Sequence, residues 1–339
     1  MAAIVAAGAL SHSPLMNKPA PDADAPAIER YRDIARKLGR RIAAAAPDVL
    51  IVIGQDHFRT LFYDMMPPFV IGTGTIRGWG DWATPRGPFA AHPPLARHLH
   101  RALLDADFDV ACSYDLEVDH GITQPLQLLG LRDDLPLVPV LVNTAAPPLP
   151  TPRRCHAFGA ALRRALRAFP DKGLRVAVIG SGGLSHAPPH WNVESTDPAD
   201  AAQIERLVHG RASVAAGAAQ REAGLVANYA RFSPFIRPDW DRALLDRFAR
   251  GEARALAAES SAATIEAGGG YGGQEIRTWL VAAGAAGNPA FDVLVYEPID
   301  FLVTGMGAVA ARLPAVAGAP RRPRPGERPA RANRRAGTA

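Results

Sequence analysis

Short runs of consecutive apolar residues, each ending in turn-forming residues, recur along the chain. Because such a run is apolar on both sides, it is typical of a strand whose sheet is covered on both faces. Between these runs lie longer segments in which apolar residues recur at helical spacing. The predicted strands are residues 4–10, 49–54, 69–72, 137–142, 175–180 and 293–297, and the predicted helices are residues 25–46, 93–106, 154–169 and 242–260.

The order of these predicted elements indicates the fold class. Strands that alternate with helices are typical of an α/β fold. We therefore expect a central sheet, largely parallel or mixed, that is flanked by helices. Residues 192–268 have a mainly helical pattern and are expected to form an insertion within the same domain.

The positive charge of the chain is concentrated at its C-terminal end. The 339 residues carry a net charge of +5, but residues 318–339 alone carry +6, from seven arginines and one glutamate. This proline-rich segment cannot bury enough apolar surface to fold. We predict one folded domain over residues 1–317 and a disordered basic tail over residues 318–339. Nucleic-acid binding by the tail is the less favoured alternative, because residues 1–317 carry a net charge of −1.

Cysteine content and hydrophobicity bear on the cellular compartment. Cys112 and Cys155 are the only cysteines, too few for a disulfide framework and typical of a reducing cytoplasm. The apolar N-terminus has no basic residue before it and is interrupted by Ser11 and His12, so we expect no signal peptide. No apolar run reaches the roughly 18 residues that a membrane span needs. We therefore expect a cytoplasmic protein with no membrane partner.

Four of the ten histidines follow strand-like segments. His12, His57 and His186 follow the first, second and fifth predicted strands, and His120 follows the more ambiguous residues 108–118. Ligands of open α/β sheets bind beyond the carboxyl ends of the strands, so we expect these four imidazoles to share one crevice. Imidazole is the commonest metal ligand and titrates near neutral pH. The cluster therefore indicates a metal centre, acid–base catalysis, or both.

Glu275 is the best-placed acidic partner for these histidines. Two histidines and one carboxylate form a facial triad that leaves positions on iron open for other ligands. Glycine-rich residues 268–273 precede Glu275, and a helical pattern follows it. The helix dipole also favours an acid in a first turn. A surface glutamate with only this structural role is therefore an equally good interpretation of the pattern.

The segment VAVIGSGGLSH, residues 176–186, also allows a nucleotide-binding interpretation. The dinucleotide fingerprint is G-x-G-x-x-G after a strand, but Ser185 occupies the third glycine position. No acidic residue at the end of a following strand completes the fingerprint. Nucleotide binding is therefore the weaker interpretation of this turn.

Five segments around these residues resemble one known family, the class III extradiol ring-cleavage dioxygenases. They come in the family's order and extend over most of the chain to about residue 310. The resemblance implies Fe(2+)-dependent cleavage of a 3-substituted catechol, such as 2,3-dihydroxyphenylpropionate, by O2 to a ring-open hydroxy-dienoate. The segments are LSHSPL (10–15), DHFRTLFYDMMPPF (56–69), VDHGITQPL (118–126), GSGGLSHAPP (180–189) and QEIRTW (274–279).

The resemblance also implies roles for individual residues. His12, His57 and Glu275 correspond to the family's three iron ligands. His120 and His186 correspond to two histidines that are not ligands and that act in acid–base steps. Residues 59–61 lie inside the second segment, at positions expected to vary with the substrate.

Other functions on the same fold remain open from the sequence. Zinc accepts the same two histidines and one carboxylate, so a zinc-dependent hydrolase or a non-catalytic metal-binding protein would carry the same residues. Manganese in place of iron also fits these ligand types. Since family members are commonly oligomeric, the resemblance implies a homo-oligomer with a small catechol-type substrate and O2 as partners.

Overall fold

An eight-stranded mixed sheet lies at the centre of the computed structural model, which describes residues 1–131, 133–188 and 193–314. Its strands are β1 (Ala3–Leu10), β2 (Val49–Gly54), β3 (Phe69–Gly78), β4 (Ala111–Val118), β5 (Leu137–Val142), β6 (Arg175–Ser181), β7 (Phe291–Ile299) and β8 (Thr304–Ala311). Their order across the sheet is β4-β3-β5-β2-β6-β1-β8-β7. The strands from β5 to β1 are parallel, whereas β3 is antiparallel to β5, and β8 is antiparallel to β1 and β7.

The helices cover both faces of this sheet. The helices are α1 (Ala25–Ala44), α2 (Pro93–Leu104), α3 (His120–Leu129), α4 (Pro152–Ala168), α5 (Ala201–His209), α6 (Ala218–Asn228), α7 (Pro238–Ala249), α8 (Ala253–Glu259), α9 (Ala262–Gly269) and α10 (Ile276–Ala286). Helices α1 and α3 pack on one face, and α2, α4 and α10 pack on the other. The expectation of an α/β fold with a mixed sheet and a mainly helical insertion, which holds α5 to α9, is confirmed.

The central strands are apolar on consecutive residues because each of their faces meets a helical layer. Every residue of β2 and β5 is buried. Side chains alternate between the two faces of a strand. Along β2, Leu50 and Val52 pack in the core beneath α1 and α3, whereas Ile51 and Ile53 pack in the core beneath α2, α4 and α10. None of the helices in the described part of the chain has the length and apolar character that crossing a bilayer requires.

Several predicted boundaries differ from the structure for local reasons. The predicted helix over residues 242–260 is two helices, α7 and α8, because Gly251 between them adopts φ +74°. Strand β8 was not predicted, since its glycines and alanines lack the β-branched pattern of a strand. Helix α3 was not predicted either, because Pro125 lies inside it. The predicted basic tail, residues 318–339, lies outside the described residues.

A stack of aromatic rings beneath the sheet provides a test of this core. The fully buried ring of Phe158 stacks on Phe69 with 4.3 Å between ring centroids and meets Phe108 edge-on at 5.3 Å. We expect Phe158→Ala to lower the free energy of unfolding by about 3–5 kcal/mol, because the substitution leaves a cavity. Denaturant unfolding followed by circular dichroism measures this loss.

The matched control is Phe235→Ala, at a ring that is 43% exposed. It should change the free energy of unfolding by less than about 0.5 kcal/mol. Similar losses in the two variants would contradict this assignment of the core.

Candidate active site

The five side chains singled out from the sequence line one cavity. His12, His57, His120, His186 and Glu275 all contribute to its wall, and it contains about 710 Å³ of space when its opening to solvent is included. His12, His120 and Glu275 are buried, with exposed fractions of 3%, 2% and 7%. The expectation that four histidines share one crevice therefore holds.

The ring nitrogens and the carboxylate lie within a few ångströms of one another. One ring nitrogen each of His12, His57 and His120 lies within 4.8 Å of the other two. The rings of His57 and His120 stack with 4.0 Å between their centroids. Glu275 Oε1 lies 3.5 Å from Nε2 of both His57 and His186. Glu275 thus links the histidine cluster to His186.

His57 is oriented by Asp119. His57 follows β2, and one carboxylate oxygen of Asp119 accepts hydrogen bonds from its backbone N–H at 2.6 Å and from Nδ1 at 2.9 Å. The other oxygen accepts from the Gly121 N–H at 2.8 Å and so caps α3. Since an ionised carboxylate can only accept, Nδ1 of His57 carries a proton. Nε2 of His57 faces the cavity, 3.5 Å from Glu275 Oε1 and 3.3 Å from Gln55 Nε2, and is the nitrogen that can bind a ligand once it has lost its own proton.

A short chain of hydrogen bonds places the proton of His12 on Nδ1. Pro125 has no N–H, so the Gly121 carbonyl four residues earlier lacks its helical donor. The hydroxyl of Ser181 donates to this carbonyl at 2.6 Å. Ser181 Oγ must therefore accept the bond of 2.9 Å from His12 Nδ1. The proton of His12 resides on Nδ1, and its Nε2 is free to bind a ligand.

His120 is held by a different carboxylate, that of Asp81. Asp81 accepts hydrogen bonds from the His120 backbone N–H at 3.0 Å and from Nδ1 at 2.6 Å. Strand β4, which precedes His120, is parallel to β3 and therefore opposite in direction to β5. The rule about carboxyl strand ends thus does not by itself bring His120 to the cavity. The first turn of α3 and the contact with Asp81 do so.

The glycines after β6 and before α10 make room for His186 and Glu275. A Cβ on Gly272 would lie 2.2 Å from His186 Nε2, and one on Gly182 would lie 2.9 Å from Glu275 Cβ. The Gly183 N–H donates to Glu275 Oε2 at 2.5 Å, and the Leu184 carbonyl lies 2.9 Å from His186 Nδ1. These glycines therefore let the imidazole and the carboxylate approach the backbone closely.

The charges in the cavity act strongly on one another. Burial lowers the pKa of His12 to about 3. Burial also acts to lower the pKa of His57, but Asp119 and Glu275 outweigh it and raise the pKa to about 10. Burial alone would raise the pKa of Glu275, yet His186 and His57 hold it well below its ordinary value. In the metal-free protein the site therefore holds ionised carboxylates whose charge is balanced in part by the imidazolium of His57.

Two residues that orient the histidines were not identified from the sequence. Asp81 lies in a short 3-10 segment, Asp81–Ala83, and Ser181 is the last residue of β6. Neither residue belongs to a pattern that points to a histidine elsewhere in the chain. Asp119 directly precedes His120 in the chain, but its side chain accepts hydrogen bonds from His57 and from the Gly121 N–H in the first turn of α3.

Comparison with protein families gives a match over almost the whole described fold. Residues 6–313 match the catalytic LigB subunit of aromatic ring-opening dioxygenases. The chain belongs to this family. The resemblance stated from the sequence is thus confirmed, and this LigB-family protein is an aromatic ring-opening dioxygenase.

Named relatives of this LigB-family chain share one name, 2,3-dihydroxyphenylpropionate/2,3-dihydroxicinnamic acid 1,2-dioxygenase. The protein of Paraburkholderia xenovorans (strain LB400) is 40% identical, with 89% of this chain and 96% of the relative covered. Those of Mycolicibacterium vanbaalenii and Paraburkholderia phymatum are each 38% identical, with 81% and 89% of this chain and 86% and 95% of the relatives covered. Among solved structures, an uncharacterized protein from Escherichia coli K12 has a TM-score of 0.48 and 15% identity, with 90% of this chain and 99% of that chain covered.

The close approach of Gly272 to His186 gives a test of the site geometry. We expect Gly272→Ala to push the imidazole away from Glu275, because the added Cβ has no space. The pKa of His186 is raised, since burial, which lowers it, is outweighed by Glu275. In Gly272→Ala it should fall from that raised value. Titration of the ring by NMR in metal-free protein measures the change.

Gly224→Ala is the matched control, because a Cβ at Gly224 has no atom within 4 Å. It should leave the His186 titration unchanged. An unaltered pKa of His186 in Gly272→Ala would contradict the contact described here.

Proposed function

We propose that this LigB-family enzyme binds Fe(2+) through His12, His57 and Glu275 and cleaves a 3-substituted catechol with O2. The expected substrate is 2,3-dihydroxyphenylpropionate, and the product is a ring-open hydroxy-dienoate. The observation that carries the proposal is the convergence of two Nε2 atoms, from histidines each held through Nδ1, and one buried carboxylate in a single cavity. The names of the relatives support the substrate class.

The donor set of the cavity fits a divalent cation. His12 and His57 each donate a hydrogen bond from Nδ1, and second contacts of this kind are typical of metal-bound histidines. Glu275 is a buried carboxylate whose contacts are with His57, His186 and the Gly183 N–H. Two imidazoles and one carboxylate are the facial set that suits non-haem Fe(2+).

We favour Glu275 over His120 as the third ligand on grounds of charge. His120 lies within the same group of ring nitrogens and could also reach a metal ion. A buried carboxylate is costly unless a cation lies beside it, however, whereas a neutral imidazole is not. His120 is then left to exchange protons with the substrate.

The proposed roles of the metal ion, His120 and His186 follow from these contacts. Fe(2+), when bound, supplies Lewis-acid and one-electron chemistry that brings the diol and O2 together. His120 accepts a proton at Nε2, because the Asp81 carboxylate at Nδ1 stabilises the imidazolium that forms. His186 is oriented by the neutral carbonyl of Leu184 and donates a proton from Nε2 to the oxygen that leaves as the ring opens. The apolar side chains of Leu225 and Phe232 limit access of water to the cavity.

Alanine variants separate the two proposed roles. His12→Ala, His57→Ala and Glu275→Ala should lose bound iron, since each removes one of three ligands. His120→Ala and His186→Ala should retain iron, with turnover lowered by about 100- to 10,000-fold, the range for a lost general acid or base. Iron content after anaerobic purification, oxygen consumption and the visible spectrum of the product measure these effects.

The same variants test whether His12, His57 and Glu275 are the metal ligands. Loss of iron from His120→Ala, together with full retention in Glu275→Ala, would show that three histidines bind the metal. Zinc in place of iron in protein purified without oxygen, with no oxygen uptake on addition of a catechol, would contradict the proposal as a whole.

Metal binding should release a proton and strengthen as the pH rises. In the metal-free protein the pKa of His57 is raised to about 10, so His57 is protonated at pH 7 and the proton must leave when a metal binds. The affinity should therefore increase between pH 7 and pH 9, by up to about tenfold per unit. His12, with a pKa of about 3, adds no dependence in this range. Calorimetry in buffers of different ionisation enthalpy measures the released protons.

Asp119→Asn is the control for this proton release. The amide removes the charge that holds the proton on His57, so fewer protons should be released at pH 7. An affinity that is independent of pH in the unaltered protein would contradict the assignment of His57 as a ligand.

The cytoplasmic location, the homo-oligomer and the domain limit at residue 317 stay predictions.

A further inference from the structure

A second recess opens directly beside the cavity. We call it the basic recess, because Arg59, Arg206, Arg221 and Arg231 all line it. It shares residues with the first cavity, so the two spaces adjoin each other. The shared residues are Pro14, His57, His120, Pro188, Leu225 and Phe232.

The arginines of the basic recess lack matching negative charge. None of its described lining residues is aspartate or glutamate. Burial lowers the pKa of Arg206 and of Arg221, and the charge of Arg59 lowers both further. Arg59 has a carboxylate close by, with its Nε 3.3 Å from Asp81 Oδ2. The side chain of Arg206, in α5, makes no hydrogen bond or ion pair with the rest of the described chain.

Acidic residues near the basic recess are occupied elsewhere. Glu222 partly offsets the charge of Arg221. Its carboxylate, however, pairs with Lys18 at 2.8 Å and accepts a hydrogen bond from the backbone N–H of Trp82 at 2.8 Å. Asp64 pairs with Arg211 at 2.8 Å on the surface. The recess therefore keeps a positive charge that an anionic ligand would neutralise.

Three N–H donors on its lining residues are buried without a hydrogen-bond partner among the residues that the structure describes. They are Arg59 Nε, Arg221 Nε and Trp82 Nε1. A buried donor without a partner costs free energy, and native structures rarely keep one without a reason. The Trp82 ring also lies edge-on to His120, with 6.3 Å between centroids. These donors thus lie close to the proposed catalytic centre.

We propose that the basic recess binds the carboxylate at the end of the substrate's ring substituent. Arg206 and Arg221 are its specificity-determining residues, and Trp82 contributes a further N–H donor. The inference rests on the proposed function, since it places the diol in the cavity of the histidines. Guanidinium groups suit this task because they bind carboxylates with two parallel hydrogen bonds.

The connection between the two spaces fits a short hydrocarbon linker. Leu225 and Phe232 line both the cavity and the basic recess. Apolar side chains at this point would contact the carbon atoms between an aromatic ring and a terminal carboxylate. Arg206 and Arg221 come from α5 and α6, so the helical insertion supplies the recognition of the substituent.

The test compares two substrates that differ only in the charged end of the substituent. We expect Arg206→Gln to lower kcat/KM for 2,3-dihydroxyphenylpropionate by on the order of 10- to 100-fold, the effect of losing a hydrogen bond to a charged group. For the uncharged 3-propylcatechol, kcat/KM should change by less than about threefold. Arg221→Gln should act in the same direction and serves if Arg206→Gln does not fold.

Two further variants control for charge and for side-chain length. Arg36→Gln removes the same charge at an exposed position of α1, where Arg36 pairs only with Asp33, and should alter neither substrate. Arg206→Lys keeps a positive charge and should retain most of the preference for the acid.

Calorimetric titration with 3-phenylpropionate, which lacks the hydroxyl groups, should show weaker binding to metal-free Arg206→Gln than to the unaltered protein.

The outcomes separate this inference from the proposed function. If the unaltered enzyme cleaves both substrates equally well, or if both arginine variants leave the preference intact, the inference is wrong while ring cleavage stands. If folded Arg206→Gln loses activity on both substrates equally, the residue serves the fold or the ring chemistry and the inference is wrong. If the unaltered enzyme loaded with iron cleaves neither catechol, the proposed function itself fails.

Discussion

The orientation of four imidazole rings is the constraint on which the site depends. A histidine offers its lone pair to the cavity only if its proton is held on the other nitrogen. In this protein the Nδ1 atoms of His12, His57, His120 and His186 each contact a partner outside the cavity. The partners are a hydroxyl, two carboxylates and a backbone carbonyl. The chemistry of the site is therefore set by residues that do not face the substrate.

The sheet and the helical insertion carry different groups of site residues. The parallel strands β1, β2 and β6 end at one edge and carry His12, His57 and His186 to it. Helices α5 and α6 of the insertion carry Arg206 and Arg221, two of the arginines of the basic recess. In the proposed function, ring chemistry and the main recognition of the substituent thus come from different parts of the chain. One can vary without disturbing the other, apart from the residues that line both spaces.

Sequence patterns alone identified the site residues that directly follow a predicted strand. Buried strands appear as runs of apolar residues, and a histidine just beyond such a run points to the sheet edge. Asp81 could not be found in this way, because it meets His120 across 39 residues and lies in a segment without periodic pattern. Arg206 and Arg221 belong to short amphipathic helices, where arginines ordinarily face solvent. Only tertiary packing turns them toward a common recess.

Pro125 shows how an apparent defect in a helix can orient a distant side chain, His12, a proposed metal ligand. By local propensity, alanine would be the better residue inside α3. Its N–H would then compete for the Gly121 carbonyl that now receives the Ser181 hydroxyl. Without that acceptor the hydroxyl could turn and donate to His12, which would shift the imidazole to its other tautomer. Selection for helix strength and selection for a metal ligand would therefore oppose each other at this one position.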